Sequence, residues 1–191
     1  MGKTGKLIVI SGPSGVGKTT IAREAVRRTG VRFSTSVTTR RPRADEVDRR
    51  DYHFVDRPSF QKMIDAGELL EWAEVFGEFY GTPSRPVRDA TAAGENVLLD
   101  IDVQGALQVH QSMPDAVFVM VVPPDETELL RRLQQRRSET DEARTQRFAK
   151  AKEEIAAADK SGVYNHRVVN DDLTKAINQV VEIINRESSQ T

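Results

Sequence analysis

Apolar and polar positions along the chain alternate between two rhythms. Short, nearly continuous apolar runs recur at 7–10, 96–100, 116–122 and 167–169. They are too short for helices, and they lack the in–out alternation of strands with one wet face. Strands covered on both faces show this pattern. Between them lie stretches with helical spacing at 19–28, 103–111, 125–136 and 173–186. In the last, Ala176, Val180, Ile183 and Ile184 make a stripe suited to face a core. Strands taken in turn with helices predict a parallel sheet flanked by helices, a three-layer α/β core.

Two segments break the rhythm. Residues 33–82 hold short runs rich in Arg, Tyr and Phe at 33–37, 52–55, 69–72 and 79–80, with one helix at 58–66. This predicts a small, mostly antiparallel lobe inserted into the core. Residues 137–160 are highly charged and helical, opened by a cap at Ser138 or Thr140. Such a segment buries little of itself and suits a lid. With no repeat or linker, a single domain is expected: core 1–32, 83–124 and 161–191, lobe 33–82, lid 125–160.

Composition narrows the function classes. At 191 residues with 38% hydrophobic and 30% charged positions, the chain has material for one soluble globular domain. A net charge of -1 argues against a nucleic-acid partner. With 0 cysteines, disulfides, thiolate zinc sites and cysteine nucleophiles are excluded, which fits a reducing, cytoplasmic setting. No apolar stretch approaches the roughly 18 residues of a membrane span, so no membrane association is expected. Residues 1–5 form a short polar leader with no signal peptide, and 188–191 are expected to fray. His53, His110 and His166 have no metal-ligand spacing.

The strongest chemical signal is Gly12-Pro13-Ser14-Gly15-Val16-Gly17-Lys18-Thr19, set between the first apolar run and the first helix and followed by Thr20. Glycines let the backbone curl so that several N–H groups converge on one polyphosphate, and the helix N-terminus adds partial positive charge. Lys18 is positioned to reach the β- and γ-phosphates, and the Thr19 hydroxyl to ligate Mg²⁺. Asp100 ends an apolar run, where it can join Thr19 around the ion. Asp102 stands two residues on, as a site residue on the same face or as a helix cap. The segment Ser36-Val37-Thr38-Thr39-Arg40-Arg41-Pro42-Arg43 gathers guanidinium groups and hydroxyls. Taken alone it is a basic loop paired with Asp45, Glu46 and Asp48. Beside a nucleotide loop it favours a second phosphate site.

These segments occur together with Asp51-Tyr52-His53-Phe54-Val55, Glu71-Trp72-Ala73-Glu74-Val75-Phe76-Gly77, Tyr80-Gly81-Thr82, Leu99-Asp100-Ile101-Asp102-Val103-Gln104-Gly105, Pro123-Pro124 and Val169-Asn170-Asp171-Asp172-Leu173. In that order, from about residue 7 to 186, the chain resembles the guanylate kinases, P-loop enzymes that move phosphate from ATP to GMP. The resemblance implies that Arg40, Arg43, Tyr52 and Tyr80 hold the GMP phosphate. It implies that Ser36, Glu71 and Thr82 read the base, and that Gly81, Asp100 and Asp102 are among the substrate-binding residues. It also implies that Lys18, Arg40, Arg132, Arg136 and Arg147 act on the transferring phosphoryl group. Asn170 and Asp171 resemble the family's adenine-side contact, with a turn and cap as the competing reading. An ionised Glu71 can accept from both guanine N1–H and the exocyclic amine, whereas adenine offers no proton at N1. Asn165 and His166 stand where the family more often has Asp and Tyr or Phe, and Arg137 stands where glycine is common.

Two other functions fit parts of the pattern. A kinase for a sugar phosphate would keep the loop and lid but lack a base reader such as Ser36, Glu71 and Thr82. A non-catalytic phosphopeptide module would have a degraded loop, whereas Lys18 and Thr19 are intact here.

Overall fold

The computed structural model of the chain describes residues 4–134 and 141–189. Its core is a five-stranded, wholly parallel sheet in the order β2-β7-β1-β8-β9. The strands are β1 (Leu7–Ser11), β2 (Arg32–Phe33), β7 (Val97–Asp100), β8 (Val117–Val122) and β9 (His166–Val169). Every residue of β1 and β8 is buried. Alternation along β1 sends Ile8 and Ile10 to one face, where they pack with Ile21, Ala25, Val180 and Ile184. These come from α1 (Lys18–Thr29) and α7 (Leu173–Ser189). Leu7 and Val9 face the other way, toward Val87, Ala90, Ala106 and Val109 of α3 (Ser84–Ala92) and α4 (Val103–Ser112). Helices cover both faces, as the uninterrupted apolar runs require.

A second, four-stranded sheet runs β4-β3-β6-β5. It comprises β3 (Val37–Thr38), β4 (His53–Phe54), β5 (Leu69–Val75) and β6 (Glu78–Pro83). The β3–β6 and β5–β6 pairs are antiparallel and the β3–β4 pair is parallel. Phe60 of α2 (Arg57–Asp65), fully buried, stacks on Phe79 beneath this sheet. The sheet is fastened to the core along its edge: Gln108 of α4 donates to Trp72 O and accepts from Trp72 N. Two helices remain, α5 (Glu126–Gln134) and α6 (Asp141–Ser161). Among the described residues of α6, the buried ones are small, Ala151 and Ala158, as its charge predicts.

Three expectations change. The run at 33–37, expected to lie wholly in the inserted lobe, is divided. Arg32 and Phe33 pair with Val97 and Leu98 in the core sheet, and Val37 and Thr38 join the second sheet. The break at 34–36 is the crossing between them. Helix α3 has no counterpart among the predicted elements, because its buried stripe is only Val87, Ala90 and Thr91. The chain end does not fray through Ser188 and Ser189, which lie in α7; Ser188 accepts from Asn96 Nδ2 and donates to Ile184 O. The predicted cap at Ser138 or Thr140 lies outside the described residues.

A candidate active site between the two sheets

The site forms at the carboxyl ends of β1 and β7, where doubly wound folds place ligands. A cleft of about 210 Å³ opens there. A larger hollow of about 610 Å³ sits at the opposite ends of the core strands, lined by Thr4, Arg88 and Met113, with no phosphate loop in it. Chemistry, not size, selects the first.

One wall is the phosphate loop. Gly17, at φ 91°, caps α1, and no side chain caps that helix. Its first N–H groups are thereby left to an anion. A Cβ on Gly17 would stand 2.8 Å from Asn170 Nδ2. Lys18 Nζ curls over the loop and donates to Gly12 O at 2.5 Å and Pro13 O at 3.0 Å. Thr19 Oγ1 donates to Asp100 Oδ2 at 2.7 Å. Burial raises the Asp100 pKa against the opposing pull of Lys18 and Thr19. Among the described residues no cluster of three or more His, Cys, Asp or Glu could hold a metal by itself. A hydroxyl and one carboxylate in contact, facing a phosphate site, form the sparse oxygen set that Mg²⁺ accepts when phosphates and water complete its shell.

The opposite wall is the second sheet. Residues 71, 73 and 75 alternate along β5, and all three line the cleft. Glu71 is buried at 4% exposure and accepts from Thr82 Oγ1 at 2.6 Å. Desolvation raises its pKa to about 7, and the Asp102 carboxylate adds to the rise. Asp102 is the N-cap of α4, its Oδ1 accepting from Gly105 N at 2.7 Å. Its Oδ2 is buried with no hydrogen-bond partner among the described residues. The cap reading is therefore realised, and it leaves one acceptor atom open beside Glu71. Position 105 is glycine for want of space, since a Cβ would meet Glu71 Oε2 at 2.4 Å.

Tyr52 and Tyr80 stand edge to face at 6.0 Å in the cleft, with Ser36 and Gly81 also lining it. Burial and the nearby Asp100 push the Tyr52 hydroxyl up to about 12. Arg40 lies just behind: its Nε donates to Tyr80 Oη at 3.1 Å, and its two terminal nitrogens grip Glu46 at 3.0 and 2.8 Å. The Glu46 hydrogen bond raises the Arg40 pKa and lowers that of Glu46. Arg40 and Arg43 do not line the cleft themselves. Glu46 draws the Arg40 guanidinium and the Arg43 backbone N–H to itself, and the Arg43 side chain is exposed.

From the lid side, Arg147 Nη1 reaches Ser14 Oγ at 3.3 Å, and Lys150 and Glu154 of the same helix line the cleft. Arg132 instead bonds Glu128 Oε1 at 2.6 Å and Asn170 O at 2.8 Å. Arg136 lies outside the described residues. Asn170 is buried behind the loop, where its Nδ2 donates to Val16 O at 2.8 Å. Its side chain supports the loop rather than facing the cleft, and Asp171 is exposed beside it. Sequence reasoning missed Ala73, Val75, Phe76, Ile101, Lys150 and Glu154. Period-2 spacing from Glu71 signals the first two, and helical spacing from Arg147 signals the last two.

Known proteins are similar to this chain over most of its length. The family model described as Guanylate kinase matches residues 4–187. A guanylate kinase of Nocardia farcinica is 47% identical over 184 residues, covering 95% of this chain and 94% of the relative. One from Symbiobacterium thermophilum is 46% identical over 189 residues, covering 98% and 88%. The crystal structure of guanylate kinase from Anaplasma phagocytophilum superposes with a TM-score of 0.81 at 33% identity, covering 97% of this chain and 87% of that one. With a family model spanning residues 4–187 and relatives at 46–47% identity over nearly the full length, this chain belongs to the guanylate kinase family.

Proposed function

We propose that the chain transfers the γ-phosphoryl group of ATP to the phosphate of GMP, and of dGMP, yielding ADP and GDP. ATP phosphates sit on residues 12–20, and GMP sits between Glu71 and the two tyrosines. The observation that carries this reading is the buried acceptor pair, Glu71 with Thr82 behind it and Asp102 Oδ2 beside it. Guanine presents two adjacent donors to such a pair, and adenine leaves it unpaired. Unpaired buried acceptors reject a wrong base by orders of magnitude.

No general base is required, because a phosphate monoester oxygen is already anionic near neutral pH. The protein's work is positioning and charge neutralisation. Lys18 exchanges its backbone carbonyl partners for β- and γ-phosphate oxygens, and Arg147 approaches the same group from the lid. Tyr52, Tyr80 and Arg40 receive the GMP phosphate, which competes with Glu46 for the guanidinium; Arg43 and Arg132 join from the rim when lobe (33–82) and lid (125–160) close on the core. Thr19 and Asp100 would hold Mg²⁺, which would supply further charge neutralisation at the phosphates. Closure excludes water and so suppresses ATP hydrolysis. Among the described residues no helix is long and apolar enough to cross a membrane.

The test is steady-state ADP release with GMP, dGMP, AMP, CMP, UMP and sugar phosphates. GMP and dGMP are expected to exceed the rest by roughly 10²-fold or more. Preference for another acceptor refutes the reading. In the same assay Lys18→Ala is expected to lower kcat by roughly 10²-fold or more while the far-ultraviolet spectrum stays native.

A further inference from the structure

We propose that Phe76 is a positioning residue for phosphoryl transfer: from the tip of the β5–β6 hairpin its ring seats the Arg147 guanidinium over the phosphate loop, joining the acceptor lobe to the lid. The inference rests on the reading of Arg147 as a ligand of the transferring group.

The turn itself points to such a role. Val75 pairs with Glu78, so Phe76 and Gly77 are the two residues of the turn. Their φ angles are 52° and 81°, both left-handed. Turns with positive φ at both centres favour Asn-Gly or Gly-Gly, because a Cβ is strained there. A bulky aromatic in this conformation is rare. Packing within the lobe does not account for it, since Phe76 is 46% exposed. The ring instead meets cations of α6. Arg147 Cζ lies 4.2 Å from its centroid and Lys150 Nζ 5.3 Å. Those residues are three apart on α6, hence on one face. Arg147 continues to Ser14 Oγ in the phosphate loop at 3.3 Å. Phe76, Arg147, Lys150 and Ser14 all line the cleft. A strained, half-exposed ring thus links the guanine-binding hairpin, through one guanidinium, to the loop that holds ATP. A cation over an aromatic face gains most where water is excluded, which is the closed state.

The experiment compares Phe76→Asn, Phe76→Trp, Arg147→Met and the Phe76→Asn/Arg147→Met double variant, recording kcat, both KM values and the thermal midpoint. Asn suits the left-handed turn, so the midpoint is expected to hold or rise. Phe76→Asn is expected to lower kcat roughly three- to thirtyfold, the span of a cation–π contact between exposed and desolvated settings. KM for GMP and ATP should change by no more than about twofold, and Phe76→Trp should restore kcat. In the Arg147→Met background Phe76→Asn should have no further effect. Native kcat in Phe76→Asn alongside an impaired Arg147→Met overturns the role of Phe76 and leaves that of Arg147 standing. Additive losses in the double variant overturn it too, as does a lowered midpoint without rescue by Trp. Native kcat in Arg147→Met removes the reading of Arg147, and this inference with it.

Discussion

Glu71 is a carboxylate that folding carries out of water before any ligand arrives. Burial is the larger cause of its raised pKa of about 7, with the Asp102 carboxylate second. Below pH 7 the free site holds a proton on Glu71, and one acceptor of the pair becomes a donor aimed at guanine donors. GMP affinity is therefore expected to fall by up to about tenfold per pH unit as pH drops below 7, and to level off above it. Titration calorimetry at several pH values checks this. Glu71→Gln isolates the effect from the titration of the GMP phosphate, since the variant should retain only the latter and bind GMP roughly 30- to 100-fold more weakly at pH 8. The same shift has a sign in stability. The unfolded carboxyl releases its proton near 4.5, whereas the folded one holds it to about 7. The folded state binds more protons in that window, so unfolding free energy from this group falls as pH rises from about 4.5 to 7, by about 3 kcal/mol. Equilibrium denaturation of the unliganded protein should show the Gln variant gaining on the native chain across that window. A parallel course for the two proteins excludes a proton on Glu71.

At the scale of elements, the phosphate loop is shaped from behind as much as by its own glycines. Asn170 follows β9, and it donates to Val16 O from its side chain and to Val122 O from its backbone. Arg132 of α5 then closes on the Asn170 carbonyl. Contacts from three elements thereby converge behind one loop. Removing the amide in Asn170→Ala is expected to destabilise the fold by about 1–2 kcal/mol and to raise KM for ATP more than KM for GMP. Denaturant unfolding with paired KM measurements checks both parts; equal rises in the two KM values count against a loop-specific role.

At the scale of the molecule, lobe and core are tied across the mouth of the site. Asp51, whose side chain is 8% exposed, accepts from Val47 N in the lobe and pairs with Arg23 of α1 at 2.6 Å and Arg50 at 2.8 Å. Those bonds hold its carboxyl below the ordinary range. Because the Arg23 end is solvated, the tie is weak and can be remade as the lobe moves. Asp51→Asn keeps the acceptor for Val47 and removes the charge. It should raise KM for GMP roughly two- to fivefold, with the difference vanishing at high salt. A KM that matches the native chain at low salt removes the proposed tie.

Local patterning alone determined the alternating core, the phosphate loop in its strand–loop–helix setting, and the residue types that face two anionic substrates. Apolar runs and glycine spacing carry that information because their physical causes lie within a few residues of one another. Contacts between distant residues decided the rest. The segment at 33–37 divides between two sheets because Val97 and Leu98 claim its start and Tyr80 and Gly81 its end. Arg40 turns to Glu46, Arg132 to Asn170, and Asn170 to the back of the loop. Asp102 serves as both cap and open acceptor, and the pKa of Glu71 follows from its burial beside that second carboxylate. Burial, competition among charges and the choice of partner depend on what folding brings together, and spacing along the chain does not encode them.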